Sequence, residues 1–367
     1  MSENIIKILL LSAPIGSGHR LAAEALKQAF EKNANVQVIH GNVFDFFPAI
    51  LGKTFLRTYL WILAACPWLY ELMYKWGNRG EGSLWMRSLI NGALAYLGNG
   101  FIKKSQADVV IATHATPAGI MSIYKQKYKP DLYLCGVITD YTVHRWWLCD
   151  GVDTYFIADE RLKERFPKNF ETIAYGIPLR EGFQGLDKEA CRHNLGWLAD
   201  KKVCLLMGGG DGLLPMEEII NSILAKAPAN LQLVALTGKN ASLRARLTAK
   251  FGSRVQVLGF TEQIPQLMCA ADMIVSKAGG LSSAEVLASD LDFIIYKPLP
   301  GQEANNAKFL ASYCGATIAA STEEICQKIL SLCAEGSAEI EKAQEVYGKP
   351  LAAQKIVSHI LKRLSKI

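Results

Sequence analysis

The sequence has no C-x-x-C pair and few histidines. Its nine cysteines are scattered as single residues, which excludes a cysteine-ligated zinc site and a disulfide framework and is typical of a reducing compartment. The six histidines show no metal-ligand spacing. We therefore expect neither a bound metal nor any other cofactor.

Long apolar runs are missing as well. A membrane-spanning helix needs about 18–20 consecutive apolar residues, and the longest apolar run here, residues 60–69, is interrupted by Pro67. The N-terminus lacks the basic start and the cleavage site of a signal peptide. The sequence therefore predicts a cytoplasmic protein without a spanning helix.

A strong net charge is absent, and the charge that is present is unevenly distributed. The whole chain carries a net +6. Residues 1–180 contain 20 lysines and arginines against 15 aspartates and glutamates, whereas residues 181–367 contain 20 against 19. The positive excess lies in the first half, where an anionic membrane or a nucleic acid would both explain it.

A complete dinucleotide fingerprint is absent, although its first part is present. Residues 5–11 form a continuous apolar run, typical of a parallel strand buried on both faces. A loop with Gly16 and Gly18 follows, and then an alanine-rich helical pattern over residues 21–30. The third glycine is missing at the required spacing, and the apolar run 36–39 ends without the acid that binds ribose. NAD is therefore not expected.

Strand and helix patterns alternate along the rest of the chain. Apolar runs predict strands at 108–112, 132–138 and 153–158, the last closing a first sheet, and at 203–207, 231–236, 255–258, 273–276 and 293–296 in a second sheet. Such alternation over 367 residues predicts two doubly wound, Rossmann-like α/β domains, at 1–180 and 181–349. Residues 350–367 are predicted to form a basic amphipathic helix.

His19 and Asp140 are the candidate catalytic residues. His19 lies at the start of the first helical pattern, where a helix N-terminus disfavours the imidazolium. A neutral histidine that can accept a proton is expected there, with a capping or core histidine as the alternative. Asp140 follows the predicted strand 132–138, at the end where open α/β sheets bind their ligands.

A glycine-containing turn near residue 280 predicts a phosphate site. Gly279 and Gly280 precede a helical pattern, and the free N–H groups at a helix start attract an anion. Ser282 and Ser283 can add hydroxyl donors, whereas Glu285, one turn further, suits sugar hydroxyls better. The alternative is an ordinary loop with a capped helix, since a glycine-rich turn alone is a weak signal.

Two further stretches extend this candidate site. A second turn, 298–301, follows one βα length later and leads into a polar cluster with Gln302, Glu303 and Asn306, of which Gln302 and Glu303 are side chains suited to recognising a hexose. Gly209 and Gly210, directly after the predicted strand 203–207, form a second candidate phosphate loop.

Residues 44–101 combine aromatic and basic side chains. They hold four of the seven tryptophans, namely Trp61, Trp68, Trp76 and Trp85. Residues 46–107 carry seven lysines and arginines against two glutamates. This composition suits a membrane interface, but an aromatic core or a nucleic-acid surface is also compatible with it.

These motifs together resemble the monogalactosyldiacylglycerol synthase and processive diacylglycerol glucosyltransferase family, which are GT-B enzymes that use UDP-sugars. That family has a K-A/P-G-G-x-[ST]-x-x-E run followed by P-G-Q-E and an asparagine, as at 277–285 and 300–306 here. Its G-x-G-H-R-x-A-A-x-A-L run matches 16–26, and its T-D-[FLY]…H pattern matches 139–144. The resemblance covers most of the chain.

The resemblance implies a GT-B fold, with two Rossmann-like domains facing each other across a cleft and the helix at 350–367 packed back on the first domain. It implies that the second domain binds UDP-glucose or UDP-galactose through Glu285 at the ribose and Gln302 and Glu303 at the sugar. The diphosphate would lie at Gly279, Gly280, Ser282 and Ser283, with Phe260 beside the uracil and Asn306 as a further contact. His19 would be the base, with Asp140 as its orienting partner or as the base itself.

The resemblance also implies a lipid acceptor. The family has a lipid-facing region at the aromatic and basic segment, which favours a membrane over nucleic acid there. The residues expected on the acceptor and membrane side are Gly18, Arg20, Arg57, Trp61, Trp68 and His144.

We therefore expect inverting hexosyl transfer to diacylglycerol or a related lipid at the inner face of the cell membrane. Alternatives are a UDP-sugar epimerase of the same fold, a glycosyltransferase with a non-lipid acceptor, and a lipid-binding protein without activity. Glucose and galactose differ at one hydroxyl, so the hexose stays open, as does the number of sugars added.

Overall fold

The structure is a computed structural model that describes residues 5–13, 17–46, 77, 81–210, 212, 214–226, 228–335 and 347–365. The chain forms two compact units. The first comprises Met1–Glu181 and Leu351–Ile367, and the second comprises Gly182–Pro350. Each unit is built on its own parallel sheet.

The first unit has a six-stranded sheet with helices on its faces. Its strands are β1 (Ile6–Ser12), β2 (Val36–Asn42), β3 (Val109–Ala112), β4 (Tyr133–Val137), β5 (Thr154–Phe156) and β6 (Glu171–Ile173). Its helices are α1 (Ser17–Glu31), α2 (Glu81–Ser105), α3 (Ala115–Tyr128) and α11 (Ala352–Leu364), with 3-10 turns at Val43–Phe46, Arg145–Trp147 and Glu160–Arg165.

All strand pairs in this sheet are parallel, in the order β2-β1-β3-β4-β5-β6. The expectation that residues 153–158 close the sheet was wrong, because β6 pairs beyond β5. This edge strand could not be predicted, since it has only three residues, is not fully buried and begins with a glutamate. A strand of this kind has no apolar run to detect.

The core of the first unit explains why these segments fold as they do. Ile8 and Leu10 of β1 are fully buried against the apolar stripe of α1, which includes Leu26 and Phe30. Helix α11 packs against α1, and its Ile356 and other apolar side chains complete the same core. The 3.6-residue period of both helices thus leaves their polar faces outward.

The second unit repeats the architecture. Its strands are β7 (Lys202–Met207), β8 (Leu231–Leu236), β9 (Val255–Leu258), β10 (Met273–Ser276), β11 (Asp292–Tyr296) and β12 (Thr317–Ala319). Its helices are α4 (Lys188–Leu195), α5 (Met216–Leu224), α6 (Ala241–Phe251), α7 (Ile264–Ala270), α8 (Gly280–Leu287), α9 (Gln302–Tyr313) and α10 (Thr322–Glu335), with a 3-10 turn at Gly252–Arg254. The strand order is β12-β11-β10-β7-β8-β9, again all parallel.

Each sheet has one point where the chain reverses its direction of strand addition. In the first sheet β1 lies between β2 and β3, and in the second β7 lies between β8 and β10. Parallel α/β sheets bind ligands outside the carboxyl ends of the strands at such switch points. Ligand binding is therefore expected at the loops after β1 and β3 in the first sheet and at those after β7 and β10 in the second.

The described helices include none with the length and apolarity of a membrane span.

Candidate active site

His19 is held at the switch point of the first sheet. It is the third residue of α1, and its Nδ1 atom lies 2.8 Å from the Thr113 carbonyl oxygen and 2.7 Å from the Thr139 hydroxyl oxygen. A carbonyl oxygen only accepts hydrogen bonds, so Nδ1 carries the hydrogen and donates it. Nε2 of the neutral ring therefore holds a lone pair and can accept a proton.

The pKa of His19 lies below its ordinary value of 6.5. The main cause is burial, which disfavours the charged ring, while the Asp140 carboxylate and the Thr113 carbonyl act in the opposite direction. The position at a helix start predicts the same direction, but burial is the larger cause. His19 is thus a neutral proton acceptor at pH 7.

Asp140 lies close enough to His19 to act through its charge. It follows Thr139 after β4 and is buried. Nδ1 of His19 donates to the Thr113 carbonyl oxygen and contacts the Thr139 hydroxyl, so these two residues orient the ring. Asp140 instead favours the imidazolium electrostatically.

Sequence reasoning missed His114, which lies beside His19. The two ring centroids are 4.8 Å apart with the planes at 83°. Nδ1 of His114 accepts the Thr116 backbone N–H at 3.2 Å and caps α3. The signal that could have found it is the polar run that directly follows buried strand β3 at the switch point.

The other residues predicted for the acceptor side lie in different places. His144 caps the Arg145–Trp147 turn, where its Nδ1 accepts the Trp146 N–H at 3.1 Å, and its charge would lower the pKa of His114. Gly18 and Arg20 flank His19 in α1, and Arg20 is exposed. Arg57, Trp61 and Trp68 lie outside the described residues.

Helix α8 begins at the switch point of the second sheet. Gly279 precedes its first residue, Gly280, and no side chain caps the helix start. Its first N–H groups are therefore available to an anion. Ser282 is partly exposed, whereas Ser283 is fully buried and its hydroxyl has no hydrogen-bond partner among the described residues. Glu285 is also buried, one turn into the helix.

The two predicted turns are joined by side chains. Asn306, fully buried in α9, donates from Nδ2 to the Ala278 carbonyl oxygen at 3.1 Å. Glu303 accepts the Leu299 N–H at 2.8 Å and forms an ion pair with Lys277 at 3.6 Å. These contacts fix both turns relative to each other and show that Glu303 and Asn306 support the loops. Gln302, the first residue of α9, is partly exposed.

The loop after β7 packs closely against the loop after β8. The Gly210 carbonyl oxygen accepts the Lys239 N–H at 2.9 Å, and Gly209 has a positive φ of 74°. Phe260 is 61% exposed, and the Lys239 ammonium lies 5.7 Å from its ring centroid. Lys239, which sequence reasoning missed, thus places a cation beside Phe260.

Within the described part of the chain, no group of three or more His, Cys, Asp or Glu side chains has the arrangement of a metal site.

Two parallel α/β units with loops of this kind define a two-domain fold of the GT-B type, as predicted from the sequence. Residues 19–178 match the family model described as monogalactosyldiacylglycerol (MGDG) synthase, and residues 203–363 match the glycosyltransferase family 28 C-terminal domain. The chain therefore belongs to the MGDG synthase-type glycosyltransferases of family 28, and the predicted family is confirmed.

Individual relatives agree with this membership. Processive diacylglycerol beta-glucosyltransferase of Bacillus licheniformis is 29% identical over 343 residues, covering 89% of this chain and 87% of that protein. Among solved structures, MurG of Acinetobacter baumannii has a TM-score of 0.66 at 16% identity, covering 97% and 99% of the two chains. UDP-GlcNAc 2-epimerase from Neisseria meningitidis has a TM-score of 0.59 at 15% identity, covering 97% and 100%. Both structures share the fold.

Proposed function

We propose that this glycosyltransferase moves a hexose from UDP-glucose or UDP-galactose to the hydroxyl of diacylglycerol or a related membrane lipid, with inversion. The observation that carries the proposal is the placement of the family motifs. His19 lies at the switch point of one sheet, and Gly209 and Gly279 lie at the switch point of the other. The relatives named diacylglycerol glucosyltransferases supply the acceptor class.

In the proposed donor site the diphosphate meets the uncapped start of α8 and the loop that contains Gly209 and Gly210. Backbone N–H groups at such positions stabilise negative charge as the leaving group departs. Ser282 and Lys239 lie at the same edge of the sheet and can add contacts to the phosphates. Phe260 offers an exposed ring to the uracil.

In the proposed reaction the acceptor hydroxyl gives its proton to Nε2 of His19. The oxygen then forms a bond to the anomeric carbon, while the bond from that carbon to the diphosphate breaks and its electron pair leaves with UDP. General base catalysis of this kind needs a neutral base at the working pH. The buried Asp140 carboxylate stabilises the imidazolium that forms.

Labelled UDP-glucose and UDP-galactose, each incubated with vesicles that contain or lack diacylglycerol, test this proposal. Label should enter the lipid extract with one or both donors, and only when diacylglycerol is present. Release of free sugar without lipid would instead support an epimerase, whose fold this chain shares. Label in a water-soluble product would indicate a non-lipid acceptor.

Glu285→Ala should weaken UDP binding by about 1–3 kcal/mol, the range for losing a hydrogen bond to a charged group. The reason is the position of Glu285 one turn into α8, where it would bind the ribose hydroxyls. Isothermal calorimetry with UDP measures the change. Glu285→Gln serves as a second variant because Glu285 is buried, and Glu262→Ala, an exposed glutamate, is the control. UDP affinity unchanged in both Glu285 variants would remove this residue from the site.

Helix α2 presents an apolar face suited to a membrane surface. Trp85, Leu89 and Tyr96 are exposed, at spacings of four and seven residues that place them on one stripe. The opposite side of the helix is buried, at residues such as Gly98 and Ile102. Further exposed apolar side chains on α2 are Ile90 and Leu97. Two lysines in the last turn, Lys103 and Lys104, add positive charge.

We infer that this face docks on anionic lipid at the inner side of the cell membrane. Aromatic rings partition into the interface, and each nearby cation contributes on the order of 1 kcal/mol at an anionic leaflet. Docking there would bring the acceptor lipid to the unit that contains His19.

Changing Trp85, Leu89 and Tyr96 together to serine should weaken binding to anionic vesicles by roughly tenfold or more, since each side chain loses its apolar burial in the interface. Vesicle sedimentation measures binding, which should rise with anionic lipid content and fall with salt. Leu198→Ser is the matched control, since Leu198 is an exposed leucine of the second unit. Equal binding by wild type and the triple variant would exclude this face as the docking surface.

A further inference from the structure

His19 and His114 carry their ring hydrogens on opposite nitrogens. His19 donates from Nδ1 to the Thr113 carbonyl oxygen, which leaves a lone pair on Nε2. His114 accepts the Thr116 N–H on Nδ1, so its neutral ring carries the hydrogen on Nε2. Within the described part of the chain neither Nε2 atom has a hydrogen-bond partner. One histidine is thus a proton acceptor and its neighbour is a donor.

The two rings are close enough for one small polar group to contact both of them. Their centroids lie 4.8 Å apart in an edge-to-face arrangement, and both residues are partly exposed. A hydroxyl is also the group that matches this pair chemically, because it donates one hydrogen and accepts others.

His114 remains an uncharged donor at neutral pH. Its pKa lies well below 6.5, because of burial first and then the nearby His19 and His144 rings. An imidazolium at this position would repel the charge that forms on His19 during proton transfer. The Asp140 carboxylate acts electrostatically on His19, whose charged form it favours. The cluster thus directs the positive charge to His19.

We propose that His19 and His114 bind the acceptor hydroxyl between them, which makes His114 a further catalytic residue. The inference rests on the proposed hexosyl transfer and deepens it. The hydroxyl hydrogen points to Nε2 of His19, and one oxygen lone pair accepts the Nε2–H of His114. The other lone pair forms the bond to the anomeric carbon as the bond to UDP breaks. His19 gains the proton, and His114 keeps its own throughout.

Fixing both the hydrogen and one lone pair orients the hydroxyl oxygen toward the anomeric carbon. An alcohol that is bound in another orientation does not have this advantage. The hydrogen bond from His114 also strengthens as the oxygen loses its proton, because bonds to a charged acceptor are stronger than neutral ones. His114 should therefore affect turnover more than substrate binding.

His114→Asn separates this role from the structural one. Asparagine is a preferred N-cap whose side-chain oxygen can accept the Thr116 N–H, but its amide N–H groups lie closer to the backbone and do not reach the position of the histidine Nε2–H. We expect kcat with vesicles containing diacylglycerol to fall roughly 10–100-fold, with unchanged UDP affinity and unchanged thermal stability. His114→Ala, which loses the cap as well, should lose both stability and turnover. Full turnover in a folded His114→Asn protein would overturn the proposal.

The ring tautomers give a readout that does not depend on activity. Long-range ¹H–¹⁵N correlation spectra of the histidine nitrogens in the wild-type protein should show the hydrogen on Nδ1 of His19 and on Nε2 of His114. A hydrogen on Nε2 of His19, or on Nδ1 of His114, would overturn the pair even if glycolipid is made. If the spectra fit and no lipid product forms with any donor, the proposed function fails instead.

Discussion

Replacing His19 with alanine should reduce turnover by roughly 10²–10⁴-fold, the usual contribution of a general base. UDP affinity should hardly change, because His19 belongs to the first unit and the proposed donor loops to the second. The reason for the large effect is geometric. Thr113 and Thr139 fix Nδ1, so Nε2 is the atom left to receive the proton. Steady-state rates with saturating UDP-sugar and calorimetry with UDP measure the two quantities.

The pH profile provides an independent check on the same residue. Since the pKa of His19 lies below 6.5, the ring stays neutral at pH 7 and gains its proton only as the pH falls through that lowered value. The acidic limb of kcat/KM should therefore lie below pH 6.5 in wild type. If His19→Ala keeps near-normal turnover while Asp140→Asn abolishes it, Asp140 is the base and the assignment of His19 is wrong.

Gly238→Ala should lower UDP affinity by roughly 10²-fold or more. A Cβ atom at Gly238 would lie 2.3 Å from the Gly210 carbonyl oxygen and 3.0 Å from that of Gly209. Both are backbone atoms, so the loop after β7 would have to move away from the loop after β8. Each hydrogen bond to the charged diphosphate that is lost costs about 1.5–3 kcal/mol, and each 1.4 kcal/mol is a tenfold change.

Gly196→Ala is the matched control for this substitution. Gly196 also has a positive φ, 68°, but a Cβ atom there meets no other atom within 4 Å. Alanine should then lower the free energy of unfolding by about 1–2 kcal/mol, the cost of holding a non-glycine residue in the left-handed conformation. UDP affinity should be unchanged. If both variants bind UDP like wild type, the packing of Gly238 on Gly210 has no role in the donor site.

Most of the fold could be predicted because the strands are buried on both faces. A run such as Lys202–Met207 or Met273–Ser276 is apolar throughout except at its ends, which is the pattern of a covered parallel strand. The missed strands, β6 and β12, have three residues each and are not fully buried. Helix α9 was predicted only as a polar cluster, because its sequence begins Gln-Glu-Ala-Asn-Asn.

The loops that form the site could be predicted from the sequence, but the hydrogen bonds and ion pairs between them could not. His19 could be located from its position after a buried strand. The partners of its ring could not, because the Thr113 carbonyl and the Thr139 hydroxyl come from loops that only the order β1-β3-β4 brings together. Glu303 was predicted to contact the sugar. Its ion pair with Lys277 could not be predicted, because the two residues lie in separate turns that only the fold brings together.

The identity of the lipid product tests the central claim most directly. Wild type would be incubated with UDP-glucose or UDP-galactose and vesicles containing diacylglycerol, and the lipid extract analysed by mass spectrometry and for anomeric configuration. We predict hexosyl-diacylglycerol with the anomeric configuration inverted relative to the donor. One UDP should be released for each sugar added to the lipid. His19→Ala should form almost none of this product. UDP release that is equal without diacylglycerol and yields free sugar would contradict the account.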